Sequence, residues 1–166
     1  MKALKHIPST RQLALAYSTL QNKKTKILDQ KLALYSQWVR LDPRLGEIII
    51  QHIAQCWSQY NPIKLHKQIC RQAWPAVFCV LLEQVPFYFK QKNLKANLSL
   101  FQKWADCIKD SIDPAPNELF FISLYPLGSK SLMESATHAT QIYKKWGYFE
   151  KELLINKATP PKKTLI

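Results

Sequence analysis

Three glycines, Gly46, Gly128 and Gly147, are all that this chain of 166 residues contains. Glycine lets the backbone take positive φ and come close to a phosphate. Glycines this far apart cannot form a P-loop or a dinucleotide-binding fingerprint. An all-β fold is disfavoured on the same ground, because tight turns between strands consume glycine. Ten prolines punctuate the chain instead. The pattern points to a mainly α protein, a bundle of six to seven helices, with room for a small two-stranded sheet near the C-terminus.

The expected helices follow from the periodicity and its breaks. Ser9 or Thr10 is suited to cap a first helix. The apolar spacing Leu13, Tyr17, Leu20, then Ile27, Leu34, Trp38 shifts face across the polar stretch 21–25, which divides the region into two helices. Asp42-Pro43 is a helix start, a capping acid followed by proline in the first turn. Its apolar face, Leu45, Ile49, Ile53, Cys56, Tyr60, runs to Asn61-Pro62. A shorter helix over about 63–73 and another opened by Pro75 come next, with Pro86 expected to kink or end the latter. Leu94, Leu98, Phe101, Trp104, Ala105 and Ile108 predict an amphipathic helix over about 93–112. Leu119 to Tyr125 is the best strand candidate. A helix from Ser129 or Ser131 to Trp146, capped by Gly147, and a second short strand within 148–155 complete the pattern. A winged-helix ending would have this order, as would a helix between two extended segments.

Apolar residues make up 47% of the chain, enough for a real core and too many for a disordered tail. One helical domain over 1–157 is expected, followed by a mobile basic tail over 158–166. No apolar run approaches the roughly 18 residues of a membrane span, and no secretory leader is visible. Cys56, Cys70, Cys79 and Cys107 then read as reduced thiols in a cytoplasmic protein.

Charge is the strongest functional signal. Lys and Arg number 24 against 11 Asp and Glu, a formal net charge of +13. Residues 1–40 hold eight cations and one acid, Asp29. Such a cluster suits phosphate backbones, and it could also meet an acidic protein. The expected contact residues are Arg11, Lys23, Lys24, Lys26 and Lys31, with Lys144 and Lys145 as a second patch. The function this favours is a non-enzymatic nucleic-acid-binding protein, a regulator or an accessory subunit of a nucleoprotein complex. The alternative is a helical adaptor docking on an acidic partner.

Two pairs, His52 with Cys56 and His66 with Cys70, share an i, i+4 spacing and are symmetric about Asn61. On an antiparallel helical hairpin Cys56 would face His66, and His52 would face Cys70. Two imidazoles and two thiolates would suit zinc. The pattern lacks the short Cys-x2–4-Cys knuckle of common zinc sites, so the expectation is core cysteines and no bound metal or cofactor. No complete catalytic constellation is visible either. His138 with Glu134 one turn before it, and Arg44 two turns before His52, are the nearest approaches. The five tryptophans lie near expected helix ends, where large rings close a helical core. Lys144-Lys145-Trp146-Gly147-Tyr148 also resembles a stacking platform for bases.

Overall fold

The computed structural model describes residues 7–22, 25–92, 98–122 and 140–155. Within these the chain is mainly helical, with a small parallel two-stranded sheet near the C-terminus. The first two helices are α1, Thr10–Asn22, and α2, Asp29–Trp38, separated where the apolar face shifts. Ser9 opens α1 with a reciprocal cap. Its hydroxyl accepts from the Gln12 N–H at 3.2 Å, and its own N–H donates to the Gln12 side chain at 2.9 Å.

Proline stands at the first turn of each of the next three helices, where its missing N–H costs nothing. In α3, Pro43–Cys56, Asp42 caps by accepting from the Arg44 N–H at 3.1 Å. In α4, Pro62–Cys70, Asn61 accepts from Ile63 and Lys64 N–H at 3.0 and 3.2 Å. Asn61-Pro62 therefore starts a helix. α3 has already ended at Cys56 and passed through a single 3-10 turn, Trp57–Gln59.

Pro75 opens α5, Pro75–Gln91, and Pro86 does not end it. An interior proline costs about 3 kcal/mol. Here the helix is the centre of the molecule. It packs against α2, α3, α4 and α6, and Val77 to Leu82 are fully or almost fully buried, which outweighs one lost backbone bond. α6, Leu98–Lys109, lies across α4 and α5.

The C-terminal region carries less strand than its residue types suggest. β1 is Glu118–Leu119 and β2 is Tyr148–Phe149, paired in parallel. Phe121 and Ile122 continue beyond the pair without strand partners, and Ile122 N–H bonds the Arg40 carbonyl at 2.8 Å. Parallel strands are not the antiparallel wing of a winged helix. The helix before β2, α7, is only Gln141–Lys145 and packs on α5; Thr140 before it is extended, so the expected helix from Ser129 or Ser131 does not run unbroken to Trp146. Gly147 follows it with φ +76, and a Cβ there would collide with the Ala115 carbonyl. The expected tail, 158–166, lies outside the described residues.

Two buried polar side chains, Arg40 and Gln84, attach this ending to the helices, and a third, Gln37, ties α2 to the start of α5. Arg40, 4% exposed, donates from Nε to the Phe120 carbonyl at 2.7 Å and from Nη2 to the Leu119 carbonyl at 2.6 Å. Its Nη1 meets the Glu118 carboxylate at 3.3 Å. Gln37 exchanges two bonds with the Trp74 backbone, at 2.8 and 3.0 Å. The Gln84 side-chain oxygen accepts from Leu154 and Ile155 N–H at 2.7 and 3.4 Å. Trp38, Trp74, Trp104 and Trp146 are buried, as expected for core rings, and half-buried Trp57 packs on Phe101 and Trp104.

Candidate nucleic-acid interface

Among the described residues of the first half, every cation but one reaches solvent. Arg11 on α1, Lys26 before α2, Lys31 on α2 and Arg44 on α3 are exposed. So are Lys64 and Lys67 on α4 and Arg71 just past its end. The exception is Arg40, which is folded into the core. The expected N-terminal cluster is weaker by that one charge, because Glu118 neutralises it. Lys23 and Lys24 lie outside the described residues.

None of the three acids before Glu83 is exposed. Asp29 sits 3.9 Å from Lys26, and Asp42 caps α3 while accepting the Tyr17 hydroxyl proton. Glu47 is half-buried. No acid at all occurs between Glu47 and Glu83, while Lys64, Lys67 and Arg71 fall there. Those three were missed by reasoning from the densest charge run, and the acid-free interval was the signal that could have found them. Their spacing of three and four residues places them along one side of α4.

The second half is arranged differently. Asp106, Asp110, Asp113 and Glu152 are exposed, so the cations there compete with neighbouring carboxylates. Lys144 is exposed on α7, but Lys145 is held at 2.7 Å by Glu83, which also binds Lys109 at 3.0 Å. Burial raises the Glu83 carboxyl, and the hydrogen bonds from Lys145 and Lys109 outweigh it, leaving it below its usual value. Trp146 and Tyr148 are buried, so the expected base-stacking platform beside Lys144 and Lys145 does not form.

The helical hairpin proposed for the His–Cys quartet does not form either. α4 packs on α2 and α6 instead of folding back along α3. His52, 2% exposed, pairs its Nε2 with the Tyr60 hydroxyl at 2.7 Å, and burial depresses its pKa to about 4. Tyr60 also accepts from the Ile27 N–H at 2.9 Å, which ties the α1–α2 turn to α3. Cys56 is buried, and burial raises its thiol. His66 faces the other way. Its Nδ1 bonds the Ile108 carbonyl of α6 at 2.7 Å, and its Nε2 lies 3.4 Å from the exposed Cys70 thiol. Among the described residues no three His, Cys, Asp or Glu side chains converge as a metal cluster. His138 and Glu134 lie outside the described residues.

Beside the α1–α2 turn a polar cavity of about 220 Å³ opens between α1 and α3. Gln21, Gln51 and Gln55 line it with amides that can donate to and accept from a sugar or phosphate oxygen. Among the described residues no helix is long and apolar enough to cross a membrane. No family model, curated protein or solved structure matches this chain.

Proposed function

We propose that this chain is a non-enzymatic nucleic-acid-binding protein, a cytoplasmic regulator or accessory subunit of a nucleoprotein complex. One observation carries the reading. Among the described residues before Glu83, seven cations are exposed and none of the three acids is. Such one-sided exposure gives a positive field over α1, α2 and α4 that a phosphate backbone matches without any base-specific pocket. Lys23 and Lys24 follow α1 in sequence.

The test is binding of fluorescent duplex DNA and single-stranded RNA across a salt series, on protein freed of copurifying nucleic acid. The expected result is a linear fall of log affinity with log salt, at roughly 0.9 per duplex phosphate contacted. Changing Lys64, Lys67 and Arg71 to Gln lowers the slope. Affinity that ignores salt, or ignores this triple change, overturns the reading.

A second reading has its own observation. Leu28, Leu34 and Ile63 are large apolar side chains exposed on α2, its N-cap and α4, beside these cations. An acidic helix with an apolar stripe would fit such a surface. Capture of a folded acidic protein, with no binding to either nucleic acid, would favour this adaptor role.

A further inference from the structure

The His66–Cys70 pair is not used by electrostatic binding, and its geometry has chemical content of its own. A backbone carbonyl only accepts, so the 2.7 Å contact with Ile108 fixes the proton of His66 on Nδ1. Nε2 is then bare and accepts from the Cys70 thiol 3.4 Å away. A thiol beside an imidazole that a third group orients is the arrangement of an activated nucleophile. α4 supplies the spacing, one turn from His66 to Cys70, and α6 supplies the orienting carbonyl.

The surroundings suit an anionic reactant. Lys67 and Arg71 are exposed on either side of Cys70 in the chain. Cys56 and Cys79 are buried and closed to reagents, and Cys107 is exposed on α6 without an imidazole partner among the described residues. Partial burial raises the Cys70 thiol, so its activation rests on the adjacent His66 Nε2 as acceptor of the proton.

We infer that Cys70 is a thiolation site, activated by His66, that exchanges with anionic low-molecular-weight disulfides of the glutathione type. The thiol proton passes to His66 Nε2. The thiolate attacks one sulfur of the disulfide, a new S–S bond forms and the old one breaks. The departing thiolate carries off the electron pair and takes the proton from the imidazolium. The disulfide is the only oxidant required. The adduct places net negative charge between Lys67 and Arg71. Resting on the nucleic-acid reading above, it lowers affinity for phosphate backbones, and a reductant restores it.

The first measurement is the rate of reaction with dithiobis(nitrobenzoate) at neutral pH, which involves no nucleic acid. A Cys107→Ser protein, reporting Cys70, is expected to react about tenfold faster than a Cys70→Ser protein, reporting Cys107. His66→Asn in the Cys107→Ser background keeps a donor for the Ile108 carbonyl and loses the base. It is expected to bring the rate down to that of Cys107, with an unchanged helical dichroism spectrum. Equal rates at the two cysteines, or a rate indifferent to His66→Asn, overturn the assignment of the thiol. The second measurement is duplex binding by the glutathione mixed disulfide, before and after dithiothreitol. A fast thiol whose adduct leaves salt-dependent binding unchanged overturns the regulatory half alone. A protein that binds no nucleic acid in either form overturns the reading in the preceding section and leaves the thiol assignment standing.

Discussion

The guanidinium carbon of Arg40 lies 4.4 Å from the centre of the Trp74 ring and 5.1 Å from the centre of the Tyr148 ring. A charge in the turn after α2 is thereby enclosed by the first residue before α5 and the first strand residue after α7. Burial works against that charge, and Tyr148 and Glu118 sustain it. Lysine cannot reproduce the fork or the stacking. Arg40→Lys is expected to cost about 2 kcal/mol, and Arg40→Ala about 3–5 kcal/mol because Glu118 is left without its partner. Urea unfolding followed by tryptophan fluorescence measures both, and equal stability of Arg40→Lys and wild type would refute the role.

Gly147→Ala tests the turn that closes the sheet. The positive φ alone costs a non-glycine residue roughly 1–3 kcal/mol, before the collision with the Ala115 carbonyl is added. The variant is expected to unfold at clearly lower urea than wild type, and to lose more stability than Thr140→Ala on the far side of α7. A neutral Gly147→Ala would mean that the 115–118 segment is placed differently.

Acid should destabilise the protein through His52. Its folded pKa is about 4, held down by burial, and the unfolded value is about 6.5. The neutral ring is therefore favoured by folding. That contribution is fully present above pH 6.5 or so and is lost as pH falls toward 4, with a slope up to roughly 1.4 kcal/mol per pH unit. In His52→Gln the amide oxygen can still accept from Tyr60 and cannot titrate. The stability difference between the two proteins should shrink as pH falls through this window, and a constant difference would exclude His52 as the source.

The two basic patches should not contribute equally. Changing Lys64, Lys67 and Arg71 to Gln is expected to flatten the duplex salt slope by about two to three units. Changing Lys144 and Lys145 should flatten it by no more than about one, since Lys145 is already committed to Glu83. A larger effect from the α7 pair would move the interface to the C-terminal half.

Much of the helical architecture was legible because its signals are local. Asp42-Pro43 and Pro75 mark helix starts through the backbone of a single turn. The polar stretch 21–25 breaks the apolar stripe before any tertiary contact is considered. What escaped depends on distant partners. Pro86 reads as a stop until the burial of α5 is known. The His–Cys symmetry about Asn61 assumed that α3 and α4 neighbour each other, while the free-energy gain lay in seating α4 between α2 and α6. Arg40 looked like one more surface cation, because nothing near it in sequence announces that Glu118, Trp74 and Tyr148 will surround it. Arg11, Lys26 and Lys31 are exposed, and the α4 cations became visible once the absence of nearby acids was matched to a helix face.

The buried side chains of Arg40 and Gln84 take the place of sheet neighbours for the C-terminal region. Arg40 holds carbonyls 79 and 80 residues away in sequence, and Gln84 holds N–H groups 70 and 71 residues away. Those bonds cannot form until α2 and α5 are fixed, whereas the helices themselves close over short loops. The consequence is an order of assembly, in which a helical body forms first and residues 118–122 and 140–155 dock onto it last. Pulsed amide exchange during refolding should protect Leu154 and Ile122 later than the middle of α3, and simultaneous protection would place the side-chain tethers in the folding nucleus.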